Sequence, residues 1–238
     1  VLTVRSGVRQ LPLVIITGLS GSGKSTALAA LEDVGFFCVD NMPVDLLPKF
    51  VELPIQSDAD LPGAAFVMDL RERGFVERHA DVLGGLRAGG VRVEIVFLEA
   101  DEAVLVQRFS ATRRQHPLAR GQGLAAGIRE EAQLLQPLRA AADHVIDTTR
   151  FNVHELKAAI VDKINRMIDS HDGLAGRYKR IQVRVVELDA EGLDYPSKRD
   201  RRSAFIEELF TAGRERADWF FDERSRWPRG RTAPAKAV

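Results

Sequence analysis

The chain has a single cysteine, Cys38, which excludes a disulfide framework and a thiolate-built zinc site and suits a reducing compartment. It has no surplus of charge of either sign. Its 34 Lys and Arg face 34 Asp and Glu, so no overall field draws in nucleic acid or an anionic membrane. Any RNA binding must therefore rest on a local patch. No apolar run approaches the ~18 residues of a bilayer span, and the first residues lack the layout of a signal peptide. A cytoplasmic location with no membrane partner is expected. The start at Val1 rather than Met is expected to reflect trimming or an unusual start codon. Its five histidines, His79, His116, His144, His154 and His171, follow no metal-ligand spacing. No internal repeat is present.

What is there reads as α/β. Of the 238 residues, 45% are hydrophobic, enough for one cored domain with or without an appendage. Five short apolar runs read as strands: Leu13 to Ile16, Phe36 to Val39, Ala64 to Met68, Val91 to Leu98 and His144 to Ile146. Segments of helical spacing lie between and after them, including the stripes Leu124, Ile128, Leu135, Leu138 and Leu156, Ile160, Ile164, Met167. Strands alternating with helices imply βαβ units and a mostly parallel sheet.

The first strand runs into Gly18-Leu19-Ser20-Gly21-Ser22-Gly23-Lys24-Ser25, and a good helix former starts at Thr26. Glycines at 18, 21 and 23 let the backbone curl so that successive N–H groups converge on phosphate oxygens. The helix that follows sets its positive end under the same oxygens. This is the P-loop pattern in its proper strand–turn–helix setting. It predicts ATP or GTP binding at Gly18 to Thr26, with Lys24 on the β- and γ-phosphates and the Ser25 hydroxyl on Mg²⁺. The alternative, a chance glycine turn before a helix, must produce all eight residues by accident.

Two carboxylates close the second and third strand candidates. Asp40 ends Phe36-Phe37-Cys38-Val39-Asp40, and Asp69 ends Phe66-Val67-Met68-Asp69. Ligands in open α/β sheets gather at the carboxyl ends of strands, so either could hold Mg²⁺ through water, and Asp40 could serve as a base. Equally, each could cap the next turn, with Pro43 at a helix start. Farther on, Arg113 and Arg114 precede a glycine-containing stretch and resemble the lid of small P-loop kinases, where an arginine neutralises the transferred phosphoryl group. A solvated basic helix end is the competing reading. His116 alone says little. Asp147-Thr148-Thr149 either approaches the nucleotide base or caps the helix that begins near Val153, and capping is favoured.

Together these residues resemble a known family. The P-loop combines with Ala30-Leu31-Glu32-Asp33-Val34-Gly35-Phe36-Phe37-Cys38-Val39-Asp40-Asn41-Met42-Pro43, then Asp69-Leu70-Arg71 and Phe97-Leu98-Glu99-Ala100-Asp101. Arg108-Phe109-Ser110, Thr112 to Leu118, Glu130-Glu131, Leu134-Leu135 and Ile146-Asp147-Thr148 follow in order. From residue 12 to about 168 the chain resembles the nucleotide-binding domain of the RapZ/YvcJ family of RNase adapters. The resemblance implies ATP binding at Gly18 to Ser25 and a GTP-associated motif at Asp69, Leu70, Arg71 and Glu72. It also implies weak NTP hydrolysis and a regulatory role in small RNA decay and amino-sugar metabolism, with small RNA or an RNase as partner.

The expected architecture is therefore a P-loop NTPase fold, a mostly parallel five-stranded sheet flanked by helices, with a small C-terminal α/β appendage. Residues 1–11 form a lead, 12–170 the nucleotide-binding domain and 171–238 a divergent segment. The family's C-terminal Gly-Cys-Thr-Gly-Gly-x-His-Arg-Ser type motif does not follow residue 170 here, which weakens the RNA expectation and suggests a truncated or fused gene. Residues 171–238 offer a strand-like run, Ile181 to Val186, and an amphipathic helix with Phe205, Leu209, Gly213 and Ala217, ending near residues 219–221. Tyr195 to Phe220 faintly resembles the last helix of patatin-like lipid hydrolases, but no Gly-x-Ser-x-Gly nucleophile motif accompanies it. The segment's 15 Lys and Arg against 12 Asp and Glu are too mild a balance to argue RNA binding. Two functions remain: a slow nucleotide-gated regulator, and a small-molecule kinase with Asp40 as base and Arg113 or Arg114 as lid arginine. A homo-oligomer is compatible with both.

Overall fold

The computed structural model describes residues 12–53, 61–70, 74–111, 116–119, 121, 123–169 and 202–225. The chain divides into two compact units, residues 1–183 and 184–238. The expected boundary at 170/171, the strand-like run 181–186 and the stretch 195–198 lie outside the described residues.

The first unit is built on a five-stranded, wholly parallel sheet: β1 Leu13–Gly18, β2 Phe37–Val39, β3 Ala64–Val67, β4 Val93–Glu99 and β5 His144–Asp147, in the order β2-β3-β1-β4-β5. Each expected strand forms within a residue or two of its apolar run. β1 lies at the centre because all six of its residues are apolar or small enough to be buried on both faces. Successive side chains of a strand point to opposite faces, so Leu13 and Ile15 feed one core while Val14 and Ile16 feed the other.

Helices cover both faces. α1 (Lys24–Asp33) and α7 (Val153–Asp169) pack on the Val14 and Ile16 side through Ala27, Leu31, Leu156, Ile160, Ile164 and Met167. The opposite core takes residues of α2 (Leu47–Val51), α3 (Phe75–Ala88), α4 (Glu102–Ser110), α5 (Leu124–Leu134) and α6 (Gln136–Ala141). The stripe Leu124, Ile128, Leu135, Leu138 is carried by two helices rather than one. Pro137 stands in the first turn of α6, where its missing N–H costs nothing; inside a continuous helix it would break the ladder. Ile128, Leu135 and Leu138 still enter one core.

α7 is capped by Asn152, not by the Asp147 to Thr149 segment. The Asn152 Oδ1 accepts the N–H groups of His154 and Glu155, each at 2.9 Å, while the Glu155 carboxylate accepts the Asn152 N–H at 2.8 Å. This reciprocal box satisfies three donors and frees Asp147, Thr148 and Thr149 for other work.

In the second unit the described residues form α8 (Ser203–Ser225), longer than expected at its C-terminal end. Ile206, Phe210 and Trp219 are exposed along it, and the Arg214 guanidinium stands 5.0 Å over the Phe210 ring. No helix among the described residues is long and apolar enough to cross a membrane.

Candidate functional site

β1 delivers the chain to Gly18 beside Leu98 of β4, where the Leu19 N–H donates to the Leu98 carbonyl at 3.0 Å. Gly18 has φ +127°, and a Cβ there would fall 2.0 Å from the Leu98 oxygen, so the turn admits only glycine. At Gly23, φ +103°, a Cβ would meet the Leu156 side chain at 2.5 Å, which lets α7 pack against the end of the loop.

Lys24 is the first residue of α1 and is 8% exposed. Its Nζ donates to the carbonyl oxygens of Gly18 at 2.7 Å and Leu19 at 3.1 Å, which folds the ammonium back over the start of the loop. The Leu19 oxygen also accepts the Ser22 N–H at 3.1 Å. Gly23, the N-cap, gives the first N–H groups of α1 no side-chain acceptor, and no acidic residue stands in the first turn. The positive end of the helix is thus left for an anion from outside, which is the chemistry a triphosphate fits. Ser25, in the same turn, is exposed.

Two clamps hold the loop from elsewhere in the chain. Glu131 of α5 is 1% exposed and accepts the Ser20 N–H at 2.8 Å, the Ser20 hydroxyl at 2.7 Å and His116 Nε2 at 3.0 Å. The Leu118 N–H donates to His116 Nδ1 at 3.2 Å, so Nε2 carries the proton that faces Glu131. The Phe109 ring meets the His116 ring edge-on at 5.1 Å. The second clamp is Arg108 of α4. Its guanidinium donates to the Gly21 carbonyl at 3.1 Å and to the hydroxyl and carbonyl oxygens of Thr148 at 3.1 and 2.7 Å. Thr148 is fully buried, and its hydroxyl lies within donating distance of the Ser22 and Glu99 carbonyls, 2.9 and 3.1 Å. Asp147 beside it is held below the usual carboxylate range, mainly by the Thr149 hydroxyl and then by the Thr149 N–H.

The two candidate carboxylates differ in position. β3 pairs Val67 with Ile16 of β1, so Asp69, two residues on, stands level with Gly18 and is 4% exposed. Asp40 follows β2, which pairs with β3 and not with β1, and so lies two strand spacings, ~10 Å, from the loop's strand. It is exposed, and its Oδ1 accepts the N–H of Asn41, a residue with φ 53°. Pro43 precedes a 3₁₀ turn, Val44–Leu46, rather than a full helix. Among the described residues no three His, Cys, Asp or Glu cluster as a metal site.

The fold thus brings Gly18, Leu19, Ser20, Gly21, Ser22, Gly23, Lys24, Ser25 and Thr26 into one loop and first turn, with Asp69 alongside. Leu70 packs partly buried against the core. Arg71, Glu72, Arg113 and Arg114 lie outside the described residues. Sequence reasoning did not single out Glu131, His116, Arg108 or Thr148 as holding the loop. One signal for Glu131 was legible: it is an acid on the apolar face of α5, between Ile128 and Leu135 at helical spacing.

Comparison with known proteins identifies a family. A family model described as the RapZ-like N-terminal domain matches residues 11–168. A nucleotide-binding protein of Desulfosudis oleivorans is 52% identical over 162 residues, 68% of this chain and 55% of the relative. One from Geobacter sulfurreducens is 47% identical over 152 residues, 64% of this chain and 53% of the relative. The chain spans about half the length of the curated relatives it matches. Among solved structures it is similar to a shikimate kinase from Bacteroides thetaiotaomicron (TM-score 0.46, 13% identity, 67% of this chain and 99% of that one). A gluconokinase from Sinorhizobium meliloti gives a TM-score of 0.43 at 15% identity, over 68% of this chain and 96% of that one.

Proposed function

This chain belongs to the RapZ-like N-terminal domain family, and on that premise we propose that it is a nucleotide-gated regulatory protein that binds ATP or GTP with Mg²⁺ at Gly18 to Thr26 and hydrolyses it slowly. The observation that carries the reading is the P-loop itself. Its buried Lys24 ammonium is bonded to backbone carbonyls, and the N-terminus of α1 has no side-chain cap. On binding, Lys24 would exchange those carbonyls for phosphate oxygens, replacing bonds in which only the donor is charged by ones in which both partners are. Ser25 and, through water, Asp69 would hold Mg²⁺, which supplies charge neutralisation between the β- and γ-phosphates. The GTP-associated role of Asp69 to Glu72, the small RNA or RNase partner and the amino-sugar role are carried over from family resemblance; a cytoplasmic setting suits the single cysteine, Cys38, and a homo-oligomer is compatible with the reading.

The test is release of phosphate from Mg-ATP and Mg-GTP with and without a pool of small metabolites. Unassisted regulatory GTPases turn over at roughly 10⁻⁴–10⁻³ per second and kinases at about 1–100 per second. A slow rate indifferent to the pool is expected. A fast rate that appears only with the pool would make the protein a small-molecule kinase, with Asp40 as base and Arg113 or Arg114 at the phosphoryl group, and would end the regulatory reading.

A further inference from the structure

The loop's least expected neighbour is a buried acid. Glu131 is 1% exposed, and removing a carboxylate from water costs several kcal/mol unless donors replace the water. Three donors do so: the Ser20 N–H, the Ser20 hydroxyl and His116 Nε2. An apolar side chain on this core-facing side of α5 would be the cheaper way to stabilise the fold. Two of the three bonds go to one residue of the P-loop, 111 positions away.

That residue controls the peptide that holds Lys24. The Ser20 N–H and the Leu19 C=O belong to the same rigid peptide unit. Its N–H end is fixed by Glu131, and its C=O end accepts the Lys24 ammonium at 3.1 Å and the Ser22 N–H at 3.1 Å. A tilt of the plane at one end therefore displaces the acceptor at the other. The far side of Glu131 is steadied in turn. Gly127, one helical turn before it, lets α5 approach the Leu118–Ala119 backbone so closely that a Cβ would fall 2.9 Å from the Ala119 nitrogen. This contact sets the 116–119 segment, and with it His116, against the same helix face.

We propose that Glu131, braced by His116, is a positioning residue for nucleotide binding: it fixes the Leu19–Ser20 peptide plane and so presets Lys24 and the loop's N–H groups for the phosphates. The inference rests on the reading of Gly18 to Thr26 as a nucleotide site. Its action is geometric and does not need the negative charge. A glutamine has the same shape, and its amide oxygen accepts the Ser20 N–H and His116 Nε2 as the carboxylate does. Its amide nitrogen donates to the Ser20 hydroxyl oxygen. An aspartate keeps the charge but ends one methylene short of Ser20.

The experiment is titration calorimetry of Mg-ATP and Mg-GTP into wild type, Glu131→Gln, Glu131→Asp and Lys24→Ala, with thermal melts of each unliganded protein. Glu131→Gln is expected to bind within about threefold of wild type, and Glu131→Asp about tenfold or more weakly, as one bond left unmade at a buried donor implies. The difference should appear in nucleotide affinity among variants that melt cooperatively, which a role confined to stability would not produce. Any outcome in which the glutamine variant binds no better than the aspartate variant overturns the inference. Wild type that binds neither nucleotide would instead sink the underlying site assignment, which Lys24→Ala checks in the same titration.

Discussion

The Thr148 hydroxyl lies 2.9 Å from the Ser22 carbonyl oxygen, a donating distance, and joins residues 126 positions apart. It ties the end of β5 to the middle of the P-loop, and the Arg108 guanidinium spans the same two segments through Gly21 and Thr148. With Glu131 on the other side, the loop is gripped by α4, α5 and the β5–α7 connection. An anion-binding loop works by presenting fixed N–H dipoles, and such fixed dipoles need no reorganisation when the charge arrives.

Lys24→Ala should abolish measurable binding of Mg-ATP and Mg-GTP while the protein still folds and melts cooperatively, a few degrees below wild type. The ammonium's two carbonyl bonds are worth only about 1–3 kcal/mol to the fold, and the shortened side chain leaves the sheet and both cores intact. Unchanged affinity by calorimetry would show that the loop is not the nucleotide site.

Arg108→Lys should loosen the loop nearly as much as Arg108→Ala. A guanidinium reaches the Gly21 carbonyl and both oxygens of Thr148 at once, and a single ammonium does not reproduce that fork. The expected loss is about 1–2 kcal/mol of stability for either variant, read from urea unfolding. A lysine variant as stable as wild type would show that charge alone suffices.

Gly18→Ala should be among the most damaging single changes in the domain. The new Cβ would collide with the backbone oxygen of Leu98 at 2.0 Å, at a φ of +127° that side chains rarely adopt. A loss above roughly 3 kcal/mol is expected, seen as a melting temperature lowered by ten degrees or more or as failure to fold. Gly90→Ala is the control: that glycine also has positive φ, but its Cβ would meet nothing within 4 Å, so a smaller loss is expected.

Asp69→Asn should reduce the dependence of nucleotide affinity on Mg²⁺, and Asp40→Asn should not. Asp69, two residues past the end of β3, stands level with Gly18 beside the loop's own strand, whereas Asp40 follows β2 and lies one strand farther away. Titrations with and without excess chelator separate the two. An effect at Asp40 alone would move the metal to the outer strand.

Cys38 should resist thiol reagents at neutral pH. Burial, and secondarily the charge of Glu32, push its thiol up to about 11, so the reactive thiolate is scarce. Because the folded value is raised, this group's stabilisation is present in full below the ordinary thiol pKa near 9 and is lost as pH climbs through about 11. Alkylation should be slow at pH 8 in the native protein and fast after addition of denaturant. Rapid labelling of the native protein at pH 8 would contradict the burial.

The sequence by itself determined the chemistry that depends on neighbours along the chain. The apolar run Leu13 to Ile16, three glycines and a helix start are local facts that place the P-loop; four further apolar runs place the other strands, and motifs spread from residue 12 to about 168 carry the family. It also marked Asp40 and Asp69 alike as strand-end acids, because strand termini are visible in a sequence and strand order is not. Only the tertiary structure decided between their positions, by inserting β3 between β2 and β1. It likewise decided that Thr148 grips the loop while Asn152 caps α7, and that Glu131 and His116 sit beneath Ser20. Those bonds join residues 15 to 126 positions apart, with the cap of α7 the one local exception. Their energies come from the exclusion of water at buried sites, which depends on how the helices close over the sheet; the order of residues shows Glu131 as an acid on an apolar face but not what it meets there.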